Sequence, residues 1–178
     1  MSGHIVLADT KSGFIPAAIK WFTGSKFSHS FVRMPSVLGI PMAIEAAELG
    51  VDFTRFDVGY ENNKNESYQV WNIKIDQGIK DKALISILND LELVYGYFQY
   101  IWFIWRRICL FFGKDIKSED NKINQGMICS QLCVAYLNAC ELQHTMYGYG
   151  IDNITPQDLY DIFIANPDIF ELVETVRM

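Results

Sequence analysis

The sequence is organised around Gly126-Met127-Ile128-Cys129-Ser130-Gln131-Leu132-Cys133-Val134-Ala135-Tyr136-Leu137. Gly126 gives the backbone conformational freedom, and the short apolar pair Met127-Ile128 follows it. From Cys129 onward the apolar residues recur at helical spacing. Leu132, Tyr136 and Cys140 lie on one stripe of that pattern, with Cys133 and Leu137 beside it. The stretch therefore predicts a helix that begins at Cys129.

A cysteine at a helix start is a candidate nucleophile. Unpaired backbone N–H groups and the positive end of the helix dipole favour an anion there, so the thiolate of Cys129 forms more readily than one in mid-helix. Cys133 and Cys140 lie further along the same helix, and Cys109 falls in an aromatic-rich apolar stretch. We expect these three to be buried packing residues, as most cysteines are.

Composition limits the class of protein. The chain has 178 residues, of which 50% are hydrophobic and 20% charged, which suits one compact domain over residues 1–178. The net charge of -6 argues against a nucleic-acid partner, because phosphate binding needs a basic face and the largest Lys/Arg cluster is Arg106-Arg107.

The cysteines and the first residues indicate the compartment. The four cysteines fit no zinc-ligand spacing, and a disulfide framework is improbable in a chain so rich in core residues. Residues 1–9 lack the basic start and long apolar run of a secretory signal. We therefore expect reduced thiols and a cytoplasmic protein.

Periodicity predicts alternating strands and helices. Helices are expected from Pro16, from Asp81 through Leu91, and from Thr155 through Phe163, the last with a threonine N-cap and a first-turn proline. Glu61–Ser67 and Lys114–Asn124 read as polar loops. The predicted strands are His4–Ala8, Ser28–Met34, Ala43–Ala47, Gly50–Thr54, Tyr68–Ile75 and Phe170–Val176.

The aromatic stretch Phe98–Phe112 allows two interpretations. It is too short to span a bilayer, and Arg106-Arg107 divides it. An interfacial helix would place its aromatic residues among lipid headgroups and its arginines against anionic lipid. A helix packed on the core or against a second subunit fits equally well.

Thiol catalysis needs a nucleophile, an imidazole that takes and returns its proton, and a group that orients the imidazole. Cys129, His29 and Glu45 are the candidates for these roles. His4 and His144 are alternatives for the imidazole, and either could be a surface residue. His29 as an ordinary edge-strand histidine, and Glu45 as a solvated strand residue, are the structural alternatives.

Five stretches, in order, carry a resemblance to a known family: WFTGSKFSHSFV, AIEAAELGV, YGYFQY, MICSQLCVAYL and ITPQDLY. Together they resemble the circularly permuted papain-like proteins of the NlpC/P60 superfamily, which include the YiiX-like and lecithin-retinol-acyltransferase-like branches. The family histidine falls on His29, its glutamate on Glu45 and its nucleophile on Cys129. The chain departs from the pattern at Gln131, where glutamate is common, and at Gly96, where aspartate is common.

The resemblance implies an α+β fold in which an antiparallel sheet carrying His29 and Glu45 packs against the helix that presents Cys129. It implies attack by the Cys129 thiolate on a carbonyl and an acyl-enzyme intermediate, with no metal or organic cofactor. Backbone N–H groups at the helix start would be the oxyanion donors.

Three functions remain open. The first is a peptidase or amidase acting on peptides such as those of bacterial cell walls. The second is an acyltransferase or thioesterase that meets the membrane through Phe98–Phe112. The third is a non-catalytic interaction module that uses the same aromatic surface. The residues leave the oligomeric state open.

Overall fold

A computed structural model describes residues 3–10, 20, 24–47, 50–88, 128–149 and 154–177. Within these residues the fold is mixed α+β, with one six-stranded antiparallel sheet and three α-helices. The strands are β1 (His4–Thr10), β2 (His29–Arg33), β3 (Met42–Ala47), β4 (Gly50–Arg55), β5 (Glu66–Ile73) and β6 (Phe170–Val176). The helices are α1 (Gln77–Ile87), α2 (Cys129–Ala139) and α3 (Pro156–Ala165). The predicted α+β class with an antiparallel sheet is confirmed.

The strand order in the sheet is β4-β3-β2-β1-β5-β6, and every neighbouring pair is antiparallel. Strands β1 to β4 form a meander in which β2 lies between β1 and β3. The register of β1 with β2 runs from His4 opposite Arg33 to Ala8 opposite His29. The chain thus places His29 and Glu45 on adjacent strands.

Side-chain alternation gives the sheet two buried faces. Ile5 and Leu7 of β1 join the main core with Leu132 of α2, whereas Val6 and Ala8 point to the opposite face. That second face is covered by four rings, which we call the aromatic cluster. Its members are Phe31, Phe56, Tyr60 and Tyr68.

All six predicted strands match the structure within two residues at each end, and β5, which is shifted by two residues at both ends, differs most. Strand β5 begins at Glu66, inside the predicted loop Glu61–Ser67, because Glu66 and Ser67 pair with Thr10 and Asp9 of β1. It ends at Ile73, so Ile75 lies beyond the strand although it still packs against the main core.

Helix α1 begins at Gln77, before the predicted start at Asp81. The carboxylate of Asp76 caps this helix by accepting a hydrogen bond of 2.8 Å from the Gly78 N–H. A single π-helical turn, Asp57–Glu61, was not predicted at all. It follows β4 and carries Tyr60 into the aromatic cluster.

Helix α3 begins as predicted. The Thr155 hydroxyl accepts a hydrogen bond of 3.1 Å from the Asp158 N–H, and the Asp158 carboxylate accepts one of 2.8 Å from the Thr155 N–H. This reciprocal pair is a capping box, with Pro156 in the first turn. The helix continues to Ala165.

Several predictions fall outside the described residues: the helix from Pro16, the end of α1 at Leu91, the aromatic stretch Phe98–Phe112 with Cys109, and the loop Lys114–Asn124. Within the described ranges, none of the helices has both the length and the apolar character needed to cross a bilayer.

Candidate active site

Cys129 is the first residue of α2, as the sequence predicted, and its side chain is almost fully buried. The residue before it, Ile128, is extended, and its N–H donates a hydrogen bond of 3.1 Å to the side-chain oxygen of Gln131. The first intrahelical bond runs from the Leu132 N–H to the Ile128 carbonyl at 3.2 Å. The N–H groups of the first turn therefore have no carbonyl partner within the helix.

Two backbone N–H groups are directed at the sulfur of Cys129. One belongs to Ser130 in the same turn, and the other to Ser30 in β2. Strand and helix thus both supply partial positive charge to the thiol, which favours its ionised form.

His29 is the first residue of β2, and its ring is hydrogen-bonded to the Cys129 thiol. Its Nε2 lies 2.8 Å from Oε2 of Glu45. Because Nε2 is occupied by the carboxylate, Nδ1 is the ring nitrogen left for the thiol. The carboxylate therefore fixes both the orientation and the tautomer of the imidazole.

Glu45 lies in β3 and is 8% exposed. Arg33 pairs with Ala43 across β2 and β3, so residues 29 and 45 fall on the same face of the sheet as that pair. This face carries the aromatic cluster, and the hydroxyl of Tyr60 donates a hydrogen bond of 2.8 Å to Glu45 Oε2.

Cys129 and His29 stabilise each other's charged forms. Burial alone would raise the pKa of the Cys129 thiol, but the hydrogen bond and charge of His29, with the two N–H groups, hold that pKa below its usual value. Burial would likewise lower the pKa of His29, but its hydrogen bonds to Cys129 and Glu45 outweigh this and raise the pKa to about 10. A thiolate facing an imidazolium is the state that this arrangement favours.

Glu45 supplies the third charge. Burial opposes its ionisation, but the hydrogen bond and charge of His29, with the bond from Tyr60, hold the pKa of Glu45 well below its usual range. Glu45 is therefore an anion that accepts two hydrogen bonds on one oxygen.

The other two histidines lie away from the site. His4 pairs with Arg33, at the end of the β1–β2 ladder opposite His29, and it is buried rather than a surface residue, which corrects that part of the prediction. His144 is exposed in a short 3₁₀ turn, Gln143–Met146.

Of the remaining cysteines, Cys133 and Cys140 are buried as predicted, and burial raises the pKa of both thiols. Their thiols therefore stay protonated near neutral pH, unlike that of Cys129.

Sequence reasoning missed two parts of the site. Tyr60 lies in an irregular segment with no periodicity, so nothing in the pattern indicated that its hydroxyl would meet Glu45. The Ser30 N–H could not be identified because backbone groups carry no sequence signal. The one available signal was position: Ser30 directly follows His29, so its N–H lies beside the candidate histidine in the same strand.

The site can perform nucleophilic chemistry on a carbonyl. It holds a sulfur in an electropositive position, an imidazole that exchanges a proton with that sulfur, and a carboxylate that orients the imidazole. Among the described residues, no group of three or more His, Cys, Asp and Glu side chains is arranged to hold a metal ion. No protein-family model matches the chain, and no curated protein is significantly similar to it.

Proposed function

We propose that the protein is a cysteine hydrolase of the peptidase or amidase type, in which Cys129, His29 and Glu45 form the catalytic triad of a circularly permuted papain-like fold of the NlpC/P60 kind. The observation that carries the proposal is the line of hydrogen bonds from the buried thiol through the His29 ring to Glu45. The three residues come from three separate elements, β2, β3 and α2.

The order of the elements supports the permuted arrangement. The histidine and the glutamate come from adjacent strands early in the chain, and the cysteine begins a helix that follows them. The same order, histidine, polar residue, cysteine, is the one that the resemblance implies.

In the first half-reaction, the Cys129 thiolate attacks the carbonyl carbon of an amide or ester and forms a C–S bond. The carbonyl electron pair moves to oxygen, where a free N–H at the start of α2 stabilises the charge. As the tetrahedral intermediate collapses, the His29 imidazolium gives its proton to the leaving amine or alcohol. An acyl-enzyme thioester remains.

In the second half-reaction, the neutral His29 ring takes a proton from a water molecule that attacks the thioester. Collapse of this intermediate releases a carboxylic acid and returns the sulfur as a thiolate facing an imidazolium. Glu45 stays ionised throughout and keeps the ring turned toward the sulfur.

The test is covalent capture of the acyl-enzyme. Incubation with p-nitrophenyl acetate should give a burst of nitrophenol and an acetyl adduct that peptide mass spectrometry locates on Cys129. Cys129→Ala should abolish both. Cys133→Ala is the matched control, because Cys133 lies on the same helix and is buried with a raised pKa, and it should leave the burst intact. An adduct that persists in Cys129→Ala would contradict the proposal.

Substrate class is a separate measurement. A panel of peptide amides should be cleaved in a Cys129-dependent manner if the protein is a peptidase or amidase. Cys129-dependent turnover restricted to acyl lipids in vesicles would assign the lipid-directed alternative instead.

A further inference from the structure

The Tyr60 hydroxyl and the His29 imidazole are both hydrogen-bonded to the same oxygen of Glu45. The Tyr60 hydroxyl lies 2.8 Å from Glu45 Oε2, and His29 Nε2 lies 2.8 Å from the same atom. The carboxylate is therefore hydrogen-bonded by one residue of a strand and one residue of the π-helical turn.

The ring of Tyr60 is held firmly. Its centroid lies 4.4 Å from that of Phe31 and 5.6 Å from that of Phe56, and the residue is 8% exposed. The turn that carries it is closed by a hydrogen bond of 2.9 Å from the Asn62 N–H to the Asp57 carbonyl. π-Helical turns are rare and occur frequently at functional sites. This one serves to bring a hydroxyl to the carboxylate.

We propose that Tyr60 is a positioning residue of this site, whose hydroxyl fixes the Glu45 carboxylate so that Oε2 is held at the His29 ring. The Tyr60 hydroxyl donates its hydrogen bond to Glu45, and Tyr60 acts on the site through that carboxylate. The inference rests on the proposed function, because that function gives Cys129, His29 and Glu45 their catalytic roles. What it adds is a residue that influences the reactivity of Cys129.

The charges around Glu45 are consistent with this role. The titratable groups that face Glu45 are His29 from β2, Tyr60 from the π-helical turn and Asp52, which lies directly opposite Glu45 in β4. Cys129 of α2 and Glu66 of β5 act on Tyr60. Burial and the Glu45 charge raise the pKa of Tyr60 well above its usual value. The hydroxyl therefore remains a donor at every pH at which the protein is assayed.

Tyr60→Phe removes the hydroxyl and keeps the ring. The measured quantity is the rate at which iodoacetamide alkylates Cys129, followed from pH 4 to pH 9 by mass spectrometry of the Cys129 peptide. We expect the acid limb of this profile to move up by about one pH unit, because the freed carboxylate holds the imidazolium less well and the thiolate loses its partner. A purely structural role for Tyr60 would lower the midpoint of urea unfolding without moving the profile.

Tyr68→Phe is the matched control. Tyr68 belongs to the same aromatic cluster, with its ring 6.5 Å from that of Tyr60, but its hydroxyl faces Glu174 at 3.4 Å. We expect its profile to overlie that of the wild type. The proposal fails if the Tyr60→Phe profile does not move, or if Tyr68→Phe moves it equally.

A double-mutant cycle tests whether Tyr60 acts through Glu45. In the Glu45→Gln background, Tyr60→Phe should cause no further shift, and an additive shift would overturn the proposal. Alkylation needs no turnover, so this result is independent of the acyl-enzyme assay. A shifted alkylation profile without any acyl adduct would refute the proposed hydrolase but support the positioning role of Tyr60. An acyl adduct on Cys129 with an unshifted profile would support the hydrolase and refute the positioning role.

Discussion

The β2–β3 register, continued along both strands, puts Glu45 opposite Phe31 rather than opposite His29. Glu45 Oε2 nevertheless lies 2.8 Å from His29 Nε2. The nearest paired residues of β2 and β3 are Arg33 with Ala43 and Val32 with Ile44. A histidine and a glutamate are both long enough to meet diagonally when strand alternation puts them on one face. The pair therefore depends on the register between β2 and β3.

Replacing His29 should remove most of the reactivity of Cys129 near neutral pH. The ordinary thiol pKa is 9.0, and His29 is the main group that lowers it in the folded protein. Without the imidazole, burial pushes the pKa up again, and a thiol of ordinary pKa is about 1% ionised at pH 7. We expect His29→Ala to alkylate about 100-fold more slowly at pH 7 and to recover toward pH 10. An unchanged rate at pH 7 would contradict the proposed pair.

Replacing Glu45 should weaken the imidazolium. Glu45 contributes to raising the pKa of His29 to about 10, and hydrolysis needs the protonated ring to deliver a proton to the leaving group. Activity of the wild type should therefore be lost as pH rises through about 10. In Glu45→Gln this basic limb should lie lower by about one unit, with a plateau reduced about tenfold. Full pH-rate profiles of the two proteins provide the comparison, and coincident basic limbs would refute it.

Gln131 caps the start of α2 and lies two residues after Cys129, so substitutions there should affect both the stability of the helix and the thiol. Its side-chain oxygen caps the Ile128 N–H at the start of α2, so Gln131→Ala should lower the free energy of unfolding by about 1 kcal/mol in urea titrations. Gln131→Glu keeps the acceptor but adds a negative charge near Cys129. We expect it to retain stability and to slow alkylation at pH 7, because an anion there opposes the thiolate. Equal effects of the two substitutions on stability would argue against the cap.

His4 should make the fold sensitive to acid. Burial, with the positive charges of Lys80, the N-terminus and Arg33, lowers the pKa of His4 to about 4 from 6.5. Between these values the unfolded chain binds more protons than the folded one, so the His4 contribution to stability is present above pH 6.5 and is lost as pH falls toward 4. His4→Phe should therefore lose about 2 kcal/mol less stability between pH 7 and pH 5 than the wild type.

Urea unfolding at the two pH values measures this difference. The aromatic replacement is suitable because His4 Nδ1 is buried without a hydrogen-bond partner among the described residues. Parallel losses in the two proteins would show that His4 does not titrate on unfolding.

The sequence was informative where local chemistry determines structure. Thr155 and Pro156 marked the start of α3, and the helical spacing after Ile128 marked the start of α2, because caps and periodicity act over a few residues. Strand alternation located His29 and Glu45 in strands for the same reason. Single-strand patterns cannot specify which strands are neighbours. The family resemblance implied only that His29 and Glu45 belong to one antiparallel sheet, so the adjacency of β2 and β3 was not predicted.

The parts that the sequence did not predict depend on tertiary contacts. Residues 66 and 67 look like loop residues by composition, but pairing with β1 extends β5 through them. The π-helical turn has no periodic signal and exists where Tyr60 can reach both the Glu45 carboxylate and the aromatic cluster. The buried state of His4 likewise follows from its place in the central β1–β2 pairing of the sheet, which the polarity of histidine would not suggest.

The long stretch of chain between the β2–β3 hairpin and α2 has a consequence for biosynthesis. His29 and Glu45 belong to consecutive strands and are translated well before Cys129. Until α2 docks on β2, the Cys129 thiol therefore has an ordinary pKa, because the groups of β2 that lower it are not yet in place. The lowered pKa of this thiol is therefore a property of the folded protein, because His29 and the Ser30 N–H come from a strand far from Cys129 in the sequence.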